Sequence, residues 1–169
     1  MTSTNLTDGV ISLRPLELQD AADHLAGEDD EMARWLSGGH STLADVQRYI
    51  TSCQENWRTN GPLRAFGVFD CTSGKLIGSI EANLAYRQVP GQVNVSYGVF
   101  PGWRRKGIAR RALELTGCYL KQATEARQMV VRIECANEAS LKMAERCGFE
   151  FAGIFEEPAG MMARYVRPL

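Results

Sequence analysis

The chain has 169 residues, 44% of them apolar, with 19 basic and 20 acidic side chains and a formal net charge of -1, which suits one domain over residues 1–169 with one substantial core. No run approaches the roughly 20 apolar residues of a membrane span, the polar start lacks the apolar region of a signal peptide, and the near-neutral balance gives no global reason to expect nucleic acid. The five cysteines, at 53, 71, 118, 135 and 147, are an odd set without a close Cys-x-x-Cys pair, so reduced thiols, no metal and a cytoplasmic location are expected.

In chain order, residues 1–9 read as a flexible tail, residues 10–13 as a first strand, and residues 16–26 as a short helix whose Glu17 and Asp20 suit the positive end of its dipole. The acidic run Glu28-Asp29-Asp30-Glu31 reads as a solvated face that would also attract a cation if a cleft lay beside it. Ser41 or Thr42 can cap a second helix, in which Leu43, Val46, Ile50, Cys53 and Trp57 recur at helical spacing until Asn60-Gly61-Pro62 stops it. Strands follow near 64–69, 75–84 and 92–99, the first two joined by a hairpin loop at 70–74 and the next two by residues 86–91. A long helix is expected from Gly107 to about Ala126, then a buried strand over 129–135, a helix over 138–147, and strands near 149–155 and 161–167. If the long helix is a crossover, strands 92–99 and 129–135 lie parallel, and a ligand enters near their carboxyl ends.

The stretch before the long helix carries the chemistry. Gly107 lets backbone approach a ligand closely and Ala109 keeps the next turn nearly as bare. Arg104, Arg105, Lys106, Arg110 and Arg111 surround a helix start whose first amides have no intrahelical partners. A phosphate-bearing ligand fits that end; a solvated basic helix start is the plainer alternative. No Gly-x-Gly-x-x-Gly turn follows the first strand, and Ser73-Gly74-Lys75-Leu76 lacks the rest of a P-loop.

Arg104-Arg105-Lys106-Gly107-Ile108-Ala109 resembles the Gln/Arg-x-x-Gly-x-Gly/Ala signature of the GCN5-related N-acetyltransferases. The match continues through Val99 and Pro101 upstream, and through Asn137, Ser140 and Cys147-Gly148-Phe149 downstream, in family order across about residues 75–156. Leu13-Arg14-Pro15-Leu16 with Asp20 extends it toward the first strand. In style it is nearest to the ribosomal-protein alanine N-acetyltransferase branch. The resemblance implies an α/β single-domain fold, with a mixed, mostly antiparallel twisted sheet, a central splayed parallel strand pair and helices on both faces.

It also implies acetyl-CoA as co-substrate, held by Tyr97, Gly98, Val99, Arg104, Arg105, Lys106, Gly107, Ile108, Ala109, Arg110 and Asn137, with the Val99 amide aimed at the thioester carbonyl. The implied reaction is direct attack of a primary amine on the acetyl group in a ternary complex, which needs no cysteine nucleophile. The acceptor is a protein N-terminus or, alternatively, a small amine such as an aminoglycoside, polyamine or amino acid. Many members place a tyrosine seven residues after the asparagine, where this chain has Ala144. Ser140 is the candidate donor of a proton or hydrogen bond to the departing thiolate, with a plain first-turn helix residue as its alternative; the missing tyrosine leaves the general acid open and keeps a non-catalytic acyl-CoA-binding module as a rival reading.

Glu81 is the candidate general base. It shares a strand face with Asn83, opposite Leu76, Gly78, Ile80 and Ala82, and its alternative is a solvated strand-face carboxylate, as for Glu134. The resemblance also implies that acceptor specificity resides in the first two helices and their connection, where Trp35 and Trp57 either flank a pocket or fill core. His24 and His40 are assigned solvent or local hydrogen-bonding roles, and the C-terminal strands at 151–155 or 161–166 offer an edge for a homodimer.

Overall fold

A computed structural model describes residues 4–86, 89–158 and 160–169. Eight strands form one sheet: β1 (Leu6–Thr7), β2 (Ile11–Arg14), β3 (Leu63–Asp70), β4 (Leu76–Asn83), β5 (Gln92–Val99), β6 (Gln128–Glu134), β7 (Glu150–Glu157) and β8 (Gly160–Pro168). Their order is β1-β2-β3-β4-β5-β6-β8-β7, antiparallel throughout except for β5 beside β6. Helices α1 (Ala21–Ala26), α2 (Asp30–Met32), α3 (Leu43–Arg58), α4 (Ile108–Ala123) and α5 (Glu138–Arg146) cover both faces, as the resemblance implied. None of the described helices is long and apolar enough to cross a membrane.

The periodicities explain the elements. Ile108, Ala112, Leu113 and Leu120 form the buried stripe of α4, and with Phe66, Val68, Ile80, Val93, Val95, Met129 and Val131 they build the larger core. Ala144, Cys147 and Phe149 carry that core over β6. On the opposite face Leu16, Ala21, Met32, Val46, Ile50, Phe69, Leu76 and Phe100 make a smaller core beneath α1 and α3. Thr42 caps α3 in a reciprocal box with Asp45, and the helix ends at Arg58, before Asn60 turns left-handed at φ 53°.

Four details differ from the sequence reading. Leu6 and Thr7 pair with Leu13 and Ser12 as β1, inside the expected tail; residues 1–3 of that tail lie outside the described residues, as do 87 and 88 of the β4–β5 connection. The segment 16–26 opens with a 3-10 turn at Leu18–Asp20 and becomes α-helical only at Ala21, where buried Asp20 takes two bonds from Arg14 at 2.8 and 2.9 Å and one from the Glu17 amide. Helix α4 ends at Ala123, because Thr124 is extended and its hydroxyl donates to the Leu120 carbonyl. Finally, Val68 pairs with Gly78 but Phe69 with Leu76, which leaves Ile77 as a bulge. The extra residue turns Leu76 into the smaller core while Ile77 and Ile80 enter the larger one.

Candidate active site

The site begins where one ladder stops. β5 and β6 pair only through Gln92–Gln128, Val93–Met129 and Asn94–Val130, although β5 stays bound to β4 as far as Val99 and β6 to β8 as far as Glu134. Past Asn94 and Val130 the two facing edges diverge unpaired. Arg132 Nε donates to Asn94 Oδ1 at 2.9 Å at the base of this fork, and Gln92 links Gln128 (3.0 Å) to the buried Arg164 (3.1 Å) just below it. A cavity of about 720 Å³ fills the fork, walled by β5 from Val95 to Val99, β6 from Val131 to Glu134, the start of α4, and α5.

The backbone of Val99 faces that cavity. The Phe100 amide bonds to Ile77 of β4, and successive residues of a strand point their polar groups to opposite edges. Val99 therefore directs its amide and carbonyl away from β4, and its carbonyl accepts from Arg104 Nε at 2.9 Å.

The loop between β5 and α4 presents more donors. Arg105 at φ 61° and Gly107 at φ 77° are both left-handed, a geometry that turns nearby amides toward one concavity. Gly107 is the N-cap of α4, whose first closing bond runs from Arg111 to the Gly107 carbonyl, so the amides of Ile108, Ala109 and Arg110 have no intrahelical acceptor. A Cβ built on Gly107 would meet nothing within 4 Å, so this corner lies open.

The five cations of the loop have separate fates. Arg105 and Arg110 line the cavity and have no ion pair among the described residues. Lys106 sits over the Trp103 ring at 5.0 Å, and Arg111 is paired with Asp8 at 2.6 Å. Arg104 turns away from the loop and binds Asp29 through both terminal nitrogens, at 2.7 and 2.8 Å, and Glu31 at 3.0 Å. Its hydrogen bonds to Asp29 raise the Arg104 pKa, and the same bonds hold the Asp29 carboxyl below its usual range. Lys142 and Arg146, four residues apart on α5, join the cavity wall; the sequence reading missed them, though their spacing on one helix face was visible.

Asn137 caps α5 by accepting from the Ser140 amide at 3.2 Å, and both residues line the cavity. The Ser140 hydroxyl has no hydrogen bond among the described residues and stays available. Ala144, where a tyrosine was looked for, is 1% exposed and belongs to the core. Burial raises the Cys147 thiol pKa, so this cavity-lining cysteine stays a neutral thiol, which fits a reaction without a cysteine nucleophile. The Tyr97 hydroxyl is buried with no hydrogen-bond partner among the described residues, and burial pushes its pKa well above the usual phenol value.

On the other side of the fork stands a short wall made by α2 and the π-helical turn Ala33–Ser37, from which Met32, Trp35 and Leu36 line the cavity. It sits tightly on β5: a Cβ at Gly98 would come within 2.7 Å of Leu36 Cδ1 and 2.9 Å of Met32 Cε. Trp57 instead belongs to the core edge, its indole bonded to the Ala65 carbonyl and stacked edge-on against Phe66. Most of the acidic run is consumed internally. Glu28 accepts from Ser37 and from the amide and hydroxyl of Ser41, Asp29 holds Arg104, and Asp30 lies 3.1 Å from His40.

Glu81 is set behind this region and is not among the residues that line the cavity. Tyr49 Oη donates to it at 3.1 Å, its register partner Ser96 does line the cavity, and burial raises its carboxyl pKa despite the Tyr49 bond. His24 corrects the expectation of a solvent role. Both its ring nitrogens are buried without a partner among the described residues, between the rings of Tyr49 and Phe100, and burial lowers its pKa although Glu28 and Asp20 oppose that. Among the described residues no group of three or more His, Cys, Asp or Glu could hold a metal ion.

A family model described as an acetyltransferase (GNAT) domain matches residues 11–150. No curated protein sequence matches the chain. Solved structures share the fold at low identity. A ribosomal L7/L12 α-N-protein acetyltransferase in complex with coenzyme A has a TM-score of 0.84 at 12% identity, covering 98% of both chains. The ribosomal-protein-S5-alanine acetyltransferase from Vibrio fischeri has a TM-score of 0.80 at 19% identity, covering 98% of this chain and 96% of its own. The aminoglycoside acetyltransferase AAC(6')-Ib in complex with coenzyme A has a TM-score of 0.79 at 19% identity, covering 94% of both.

Proposed function

Because this chain belongs to the GNAT acetyltransferase family and takes acetyl-CoA as its co-substrate, we propose that it acetylates the amine of a protein N-terminus by direct attack, with donor and acceptor held in one cleft. The observation that carries the reading is the fork between β5 and β6, which opens beside the left-handed loop at the start of α4. An extended pantetheine arm needs backbone partners, and the unpaired edges past Asn94 and Val130 offer them much as they would to an added strand. The pyrophosphate is assigned to the amides from Gly107 to Arg110, with Arg105 and Arg110 beside it.

With the arm so placed, the Val99 amide supports the oxyanion that forms when the amine attacks the thioester carbon. One such preorganised donor contributes about 3 kcal/mol to lowering a barrier. Asn137 holds the start of α5 and contacts the arm, and the Ser140 hydroxyl hands a proton to the leaving thiolate while taking one back from water. Glu81 takes the amine proton through water, since it stands behind the cavity wall.

A protein acceptor is favoured over a small polyamine by the acceptor wall. Met32, Trp35 and Leu36 give it an apolar surface, and the carboxylates of Glu28 and Asp29 are already occupied by partners of their own. A closed acidic pocket for a polycation would leave those charges free. Acetyl-CoA-dependent thiol release should be measured across peptides with varied N-termini and across small amines, with thermal stabilisation by acetyl-CoA recorded in parallel. Turnover on peptides is expected. Turnover on small amines alone would move the acceptor to that class, and stabilisation without turnover on any acceptor would leave a binding module.

A further inference from the structure

We propose that Arg104 is a positioning residue that clamps the acceptor wall to the end of β5, rather than a phosphate ligand. The inference rests on the acetyltransferase reading and concerns how its two half-sites communicate. Arg104 is the first residue of the phosphate loop in sequence, yet its guanidinium is spent elsewhere. Nε holds the Val99 carbonyl at 2.9 Å, while Nη1 and Nη2 grip Asp29 at 2.7 and 2.8 Å and Nη1 also reaches Glu31 at 3.0 Å. A planar fork bound in this bidentate way has a fixed orientation that a single ammonium cannot reproduce.

Each end of the clamp matters. Asp29 is the N-cap of α2 and accepts from the Met32 amide at 3.0 Å, so holding Asp29 holds the turn that carries Met32, Trp35 and Leu36 along the cavity. Val99 is the strand residue whose amide faces the fork. The backbone of Arg104 continues directly into Arg105 and Gly107, the left-handed residues of the loop. Ordering the loop around a pyrophosphate therefore fixes the origin of the Arg104 side chain, and with it the wall. Linkage makes the effect reciprocal: acetyl-CoA tightens the acceptor site by the factor by which the acceptor tightens acetyl-CoA.

The test needs no knowledge of the acceptor. Hydrogen exchange of the backbone amides at 30–37 should be followed with and without acetyl-CoA in the wild type, Arg104→Gln, Asp29→Asn and the double variant, with the acetyl-CoA Kd measured by calorimetry. Asparagine also caps helices well, so Asp29→Asn removes the ion pair and keeps the end of α2. Either single variant should exchange about tenfold faster at 30–37, as expected for loss of a charge-assisted hydrogen bond. The double variant should exchange no faster than the singles. Acetyl-CoA should slow this segment in the wild type only, and its Kd should change by less than about threefold, half a decade on the affinity scale.

An Arg104→Gln protein that loses about tenfold or more in acetyl-CoA affinity while exchange at 30–37 stays at the wild-type rate would overturn the clamp and restore a phosphate ligand. Unchanged exchange in Asp29→Asn would overturn it too. A wild type that does not bind acetyl-CoA would sink the functional reading instead, and exchange in the ligand-free variants would still judge the clamp.

Discussion

The Tyr49 hydroxyl of α3 donates to a Glu81 carboxylate oxygen of β4 at 3.1 Å, and the two form a partly buried pair behind the cavity wall. Burial raises the Glu81 carboxyl above its ordinary value and the tyrosine bond pulls it partly back. That opposition gives the pair a pH signature.

If Glu81 is the base, the acid limb of the kcat/KM profile lies above the usual carboxylate range. Tyr49→Phe removes the bond that favours the charged form and should move that limb to higher pH. Glu81→Gln should abolish the limb and lower kcat by about a hundredfold, the low end of general-base effects. A Glu81→Gln profile that keeps the wild-type limb would dismiss the residue as base.

Gly107→Glu sets a carboxylate where pyrophosphate is expected and should weaken acetyl-CoA by at least about tenfold, a loss of about 1.4 kcal/mol. Gly107→Ala has open space around its Cβ but must adopt φ 77°, costing about 1–2 kcal/mol of stability with a smaller loss of binding. Calorimetry on variants with wild-type circular dichroism decides this, and a Gly107→Glu protein that binds normally would remove the phosphate site from this loop.

Asn137 and Ser140 separate capping from chemistry. Asn137→Ala removes the cap and should cost about 1 kcal/mol of stability, whereas Asn137→Asp keeps it and should alter the KM for acetyl-CoA alone. Ser140→Ala retains the backbone amide that Asn137 binds, so melting should be unchanged while kcat falls by about tenfold to a hundredfold, in keeping with loss of a proton donor. Equal kcat in Ser140→Ala would assign the departing thiolate to solvent.

His24 should shape stability against pH. Its folded pKa lies below the unfolded value of about 6.5, because burial disfavours the charged ring. The unfolded chain therefore binds a proton first as pH drops, and the folded state loses stability from about pH 6.5 downward until the folded pKa is reached. His24→Phe should flatten the denaturation midpoint between about pH 7 and 5 relative to wild type. Parallel slopes in the two proteins would show that the ring is not a buried neutral group.

The sequence was a good guide wherever a structure repeats locally. The helical spacing after Gly107, read as a face of Ile108, Ala112, Leu115, Tyr119 and Ala123 widened by Leu113 and Leu120, and the strands expected at 92–99 and 129–135 placed α4, β5 and its parallel partner close to where they stand. What escaped depends on distant partners. Arg104 looks like one more cation of the loop until Asp29, 75 residues earlier, is seen to hold it. The bulge at Ile77 is a pairing event between strands, so counting alternate residues along 75–84 assigned Leu76 to the wrong face. His24 lies on a short polar-looking helix, and its burial comes from Phe100 and Tyr49, which other elements supply.

The three residue pairs between β5 and β6 also have a mechanical meaning. The five strands on one side and the β6-β8-β7 group on the other meet in the sheet only through that short ladder, while α4 and the larger core lie across both. Gln92, Gln128 and Arg164, none of which lines the cavity, brace that seam through their own hydrogen bonds, so the spacing of the two edges rests in part on residues outside the site.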